Sequence, residues 1–324
     1  MKQYILALNS YAFLLVISLL SLAACGSADE VILMSNNEVN TTATSEDCEN
    51  QVSTFTINLN PNDCNVALSN ALGSASQYAE VLSGTTRSIS INSIASHMVG
   101  EFPNSGNPHS INAITQTFSL PTNPSLADQI TNAQGYDTGV LFSGVTVDPY
   151  TAEFFQTSTG GFNREWNRTT LSTSRDLGLD CNNAHVQPSG KYHYHGTPSA
   201  YVAQLGINGT EMVKVGYAAD GFPIYYKYAY AEDGNSIIAL ESGYQIIDGA
   251  RPGNGSTAPG GCYDGTYFQD YEYVEGISLL DECNGRFGRT PEAPNGAYYY
   301  VITDNFPSVP ICFAGTPDDS FSKR

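Results

Sequence analysis

From Thr85 onward the apolar positions come in short alternating runs. Ile89 and Ile91 alternate in SISINSI, and QTFSLP, GVLFSGVTVDPY, YHYHG, MVKVGYA, FPIYYKYAY and AYYYVITDNFP follow, with Gly, Pro, Asn and Asp between them at close intervals. Period-two alternation bounded by turn residues predicts strands. The fold class is therefore all-β or β-rich: one large β domain with tight turns over 85–324. Ahead of it, Val66, Leu68, Leu72 and Tyr78 fall at helical spacing around Gly73, which predicts a weak helix in a small N-terminal extension over 48–84. No repeat of fixed period is found, which disfavours a propeller or solenoid.

Residues 26–47 are mostly Ser, Thr, Asn and acid. Such a composition buries too little apolar surface to offset its ordering entropy, so 25–47 is a tether. The apolar run from Tyr11 to Leu22 is too short to span a bilayer with margin and reads as part of a signal peptide over 1–24. Leu22-Ala23-Ala24-Cys25 resembles a bacterial lipobox, with Cys25 acylated as the mature N-terminus. The membrane is then a partner through the lipid anchor. Gly26 and Ser27 lack the acidic signal for inner-membrane retention, so the outer membrane is expected in a Gram-negative host.

Composition adds three constraints. A formal net charge of -19 excludes nucleic acid and anionic membrane surfaces as electrostatic partners. Twenty-one tyrosines and 30 glycines suit aromatic packing between strands joined by tight turns. Apart from Cys25, the cysteines are Cys48, Cys64, Cys181, Cys262, Cys283 and Cys312; an even set without Cys-x-x-Cys in an exported chain reads as three disulfides. Six cysteines allow fifteen pairings. Cys48 with Cys64 is the natural local pair, with Cys283–Cys312 and Cys181–Cys262 for the rest.

Three of the five histidines fall within LDCNNAHVQPSGKYHYHG. His193 and His195 are two apart in a strand-forming run, so they share a face, with Tyr192 and Tyr194 on the other. Pro188 and Ser189 fit the centre of a type I turn and Gly190 the left-handed residue that completes a three-residue hairpin loop. That loop pairs Gln187 with Lys191 and places His185 opposite His193, bringing three imidazoles to one face; a two-residue loop would separate them. Among carboxylates, Asp148 and the Asp281-Glu282 pair read as turn or cap residues. Asp180, close to His185 in sequence, and Asp220, before a Gly-Phe-Pro turn, are candidates to join or orient the cluster. The acidic run 264–275 is a weak calcium signal. No G-x-S-x-G, H-E-x-x-H, phosphate loop or EF-hand is present.

The stretch Asp180 to Gly196, with its Tyr192-His193-Tyr194-His195 core, resembles the signature of the YHYH domain family of exported proteins. SHMVGEFPNSGNP, VDPYTAE, VGYAADGFPIYY, LDECNGRFGRTPE and YVITDNFPSVPICFAG resemble further blocks in family order, covering 88–315. The resemblance implies a domain identity and no particular reaction. It also implies a histidine at the position of His97, the candidate fourth ligand, whereas Tyr298-Tyr299-Tyr300 stands where a Tyr-His-Tyr-like run is expected. The expectation is a monomeric envelope lipoprotein binding one copper or zinc ion through His97, His185, His193 and His195, assisted by Asp180 or Asp220. Its rivals are a metal-dependent hydrolase using the same residues and a surface interaction module with structural histidines.

Overall fold

Short alternating runs become short strands: the described residues hold 21 of them and two α-helices, of five and six residues. The computed structural model describes residues 45–49 and 51–323; the signal segment, Cys25 and most of the tether lie outside them. The expected helix is confined to Leu68–Leu72. No side chain caps its start at Ala67, and Gly73 (φ 62°) ends it in the left-handed conformation. Tyr78–Ser83 beyond it is a strand.

The central feature is an eight-stranded sheet. Its strands are β1 (Gly139–Leu141), β2 (Thr146–Val147), β3 (Ala184–Val186), β4 (Tyr192–Tyr194), β5 (Lys214–Ala218), β6 (Pro223–Tyr226), β7 (Gly285–Gly288) and β8 (Ala297–Ile302). Across the sheet they lie in the order β3-β4-β2-β1-β5-β6-β8-β7. Pairing is antiparallel except between β4 and β2 and between β6 and β8.

That order reads the same from both edges, because β1–β4 and β5–β8 are two copies of one unit. Tight hairpins open each copy, with the Leu141 N–H donating to the Val145 carbonyl at 2.9 Å and Ala218 to Phe222 at 2.9 Å. Gly144 and Gly221 supply the positive φ of the two turns, 81° and 91°. Further along, Asp180 donates to Ala184 (2.9 Å) and Asp281 to Gly285 (2.7 Å), while His195 donates to Asn183 and Val301 to Asn284, both at 2.8 Å. Asn183 and Asn284 both have positive φ, 51° and 58°. The Tyr192 hydroxyl donates to Asp180 at 2.7 Å and Tyr298 to Asp281 at 2.8 Å. β1 and β5 meet antiparallel with Val140 opposite Tyr217, so the copies are related by a pseudo-twofold axis perpendicular to the sheet, and equivalent side chains share a face.

One face of the sheet is a continuous core that includes Leu141, Val147, Tyr192, Tyr194, Ile224 and Tyr300. The other face is divided. Its middle, at Val140 and Tyr217, is covered by Ile89, Ile91, Phe118 and Leu120 from the three-stranded sheet of Tyr78–Ser83, Thr86–Ile91 and Gln116–Pro121. Burying such side chains contributes about 1.5–3 kcal/mol each. Beyond it, the second copy packs Tyr225, Tyr299 and Val301 with Met212, Leu240 and Leu280.

All six candidate cysteines are paired, but only Cys283–Cys312 matches the expected partners. Cys48 joins Cys262, and Cys64 joins Cys181. The local Cys48–Cys64 pair fails because the chain between them is extended and bound elsewhere. Thr54 donates to the Asp264 carbonyl and Thr56 to that of Leu171, both at 2.7 Å, which carries the two cysteines apart.

Candidate metal centre

The Pro188-Ser189-Gly190 loop closes as its residue types require. The Gly190 N–H donates to the Gln187 carbonyl at 2.8 Å, Gln187 donates to Lys191 at 2.9 Å, and Gly190 has φ 91°. A Cβ on Gly190 would stand 2.3 Å from Asn112 Nδ2, a second reason for glycine there. Register follows: Val186 opposes Tyr192, His185 opposes His193 and Ala184 opposes Tyr194. His185, His193 and His195 therefore converge, with ring centroids 4.6 to 4.9 Å apart and one ring nitrogen of each within 4.8 Å of the others.

Backbone carbonyls set the tautomers. His185 Nδ1 lies 2.9 Å from the Leu177 carbonyl and His193 Nδ1 3.3 Å from that of Lys191. A carbonyl only accepts, so each Nδ1 carries the proton and each neutral ring keeps its lone pair on Nε2, the arrangement of a metal-binding imidazole. His185 Nε2 and His195 Nε2 are 3.1 Å apart. With His185 Nε2 an acceptor, a hydrogen bond between the two rings takes its proton from His195 Nε2 and leaves the buried His195 Nδ1 an acceptor without a donor. The carbonyls of Pro149 and Asp148 face this ring and favour its charged form, though neither closes a hydrogen bond with Nδ1. A cation held at Nε2 would leave the His195 proton on Nδ1, the nitrogen that has no partner. The hydroxyl of Thr146, paired with His193 where β2 runs beside β4, is likewise buried and unpartnered.

His193 and His195 are 1% and 2% exposed, while His185 is more open. Burial holds all three imidazoles below their ordinary pKa, reinforced at His193 and His195 by repulsion from the neighbouring rings. They are neutral at neutral pH, the form that donates to a metal. The charges near the site are paired: Lys191 with Asp137 and Lys323 with Asp148, both at 2.7 Å. Burial raises the Asp148 carboxyl to about 6 against the opposing effect of Lys323.

The other expected ligands are placed elsewhere. His97 lies on the tyrosine side of β4, where Nε2 accepts from the Tyr194 hydroxyl at 2.5 Å and Nδ1 donates to the Met98 carbonyl at 2.8 Å. It does not join the triad, because residues of opposite parity on β4 point to opposite faces. Asp180 is also on that side, accepting from Tyr192 at 2.7 Å and from the Gly100 and Asn182 N–H groups, each at 2.9 Å. Asp220 belongs to the second copy, accepting from Tyr300 at 2.5 Å and Gly315 at 3.0 Å. In the acidic run, Asp264 and Asp270 are engaged by Arg251. Thr146, Asp148, Leu177 and Lys191 surround the triad without having been expected there. Only Lys191, next to the signature, carried a local signal. His109 and Glu153 also act electrostatically on His185.

A family model described as YHYH protein matches residues 117–315, a span that takes in β1–β8 and the triad. No curated protein and no solved structure matches the chain.

Proposed function

The chain belongs to the YHYH protein family, and we propose that this member is an envelope lipoprotein that holds one copper or zinc ion through His185, His193 and His195. The observation that carries the reading is the triad's proton pattern: two tautomers preset by backbone carbonyls, and a third that leaves a buried nitrogen orphaned until a cation takes the Nε2 lone pairs. Three imidazoles without thiolate suit copper(II) or zinc, since all six candidate cysteines are committed to disulfides. Those disulfides also fit an oxidising compartment outside the cytoplasm. No helix among the described residues is long and apolar enough to cross a membrane. Attachment is assigned to Cys25, which follows the short apolar segment and small residues of a lipobox.

Chelator-stripped protein titrated with zinc or copper(II) is expected to retain one ion per chain after desalting, measured by elemental analysis. Retention of neither metal overturns the reading. In cells, Cys25→Ser is expected to move the protein out of the membrane fraction, and unchanged partition removes the anchor.

Metal-activated hydrolysis is the second reading, favoured by one observation. No fourth His, Cys, Asp or Glu joins the three histidines among the described residues, and His185 is the least buried of them, the side from which water or substrate would reach an ion.

A further inference from the structure

The pseudo-twofold relation gives the histidine site a counterpart in the second copy. His185 corresponds to Arg286, His193 to Tyr299 and His195 to Val301, and Arg286 opposes Tyr299 across β7 and β8 as His185 opposes His193 across β3 and β4. We propose that this counterpart is a small-anion site, in which Arg286 and Tyr299 bind a carboxylate or inorganic phosphate.

Three observations converge on it. Tyr299 is fully buried and its hydroxyl has no hydrogen-bond partner. Arg286 Nη1 is buried and unpartnered too, and Arg286 takes part in none of the salt bridges among the described residues. A chain of net charge -19 has carboxylates in excess, so an arginine beside a buried phenol with no carboxylate partner is set up for an acceptor from outside. The third observation brings the donors together. A Cβ built on Gly288 would lie 3.3 Å from Arg286 Nε, 3.4 Å from Arg286 Nη2 and 3.4 Å from the Tyr299 hydroxyl. The three donors are thus gathered against the Gly288 backbone, close to one another. Gly288 is not among the residues with positive φ, so its backbone does not demand glycine. The space does. An anionic oxygen bridging these donors would accept from the guanidinium and the phenol together, without the ring nitrogens a transition metal needs.

The test is calorimetric titration of the disulfide-intact protein with sodium phosphate and, separately, sodium acetate at constant ionic strength. Saturable binding of at least one is expected, and which one binds identifies the anion class. Gly288→Ala, whose methyl group crowds the donors, is expected to weaken that binding about tenfold or more, the equivalent of one charge-assisted hydrogen bond. Arg286→Gln should do the same, and circular dichroism establishes that both variants are folded. Should Arg286→Gln fail to fold, Gly288→Ala decides alone. Absence of saturable binding by either anion, or affinity unchanged in folded Gly288→Ala, overturns the proposal.

Discussion

Replacing His193 with alanine is expected to abolish retention of zinc or copper, with a loss of affinity beyond the roughly 10–100-fold that removal of an outer-shell partner costs. His193 is central to the cluster: it is 1% exposed, its Nδ1 is held by the Lys191 carbonyl, and its ring lies within 4.9 Å of both neighbours, centroid to centroid. His195→Ala should match it, and His185→Ala should follow the same course from the more open side. His97→Ala is the informative control. It removes a buried partner of the Tyr194 hydroxyl, so it should destabilise the fold by about 1–3 kcal/mol while leaving metal affinity within about twofold of wild type. Competition against a chromogenic chelator, beside urea denaturation, separates the two effects. Metal loss on His97→Ala equal to that on His193→Ala would mean that the tyrosine face and the histidine face act as one site.

The second large effect is acid sensitivity. Burial pushes the His97 imidazole from its ordinary 6.5 down to about 4, and the three triad histidines are shifted in the same direction. The unfolded chain therefore binds more protons than the folded one between those values. Stability carried by neutral His97 is complete above about pH 6.5 and is lost as pH falls toward about 4, by roughly 3 kcal/mol in all. Asp148, raised to about 6, works the other way over part of the window, since its folded form takes up a proton before its unfolded form does. The measurement is accordingly a difference: metal-free wild type and His97→Gln unfolded in urea at pH 7.5, 6, 5 and 4.5. Wild type should lose stability faster than the variant as pH falls, and parallel profiles would show that His97 is not buried as the neutral base.

What could be read from the sequence was local. Alternation gave the faces of β4, and the Pro-Ser-Gly turn gave the register that brings His185 to His193, because a hairpin's geometry is written in its own few residues. What escaped was set at long range. Thr146 reaches the triad through a parallel pairing whose partners are 47 positions apart, with no turn to announce it. His97 keeps its place in the fold by bonding to Tyr194, a contact that hydropathy cannot distinguish from ligation. Cys48 and Cys64 are near in sequence but separated by an extended segment bound to other loops. The duplication was hidden because its spacing drifts: Ser143 and Asp220 are 77 positions apart, Asp180 and Asp281 101, and Tyr194 and Tyr300 106. Insertions of unequal length erase a period while leaving the hydrogen bonds in place.

The Cys48–Cys262 bridge bears on mechanics. A tug arriving from the residues before Cys48 meets a covalent bond at once and is shared with a loop 214 positions away, while Cys64–Cys181 clamps the far end of the extended run. Tension arriving at Cys48 is thus delivered to the body of the domain, and the run between the two cysteines is shielded from being peeled away. Reduction would shift that load onto individual hydrogen bonds, which would open one after another.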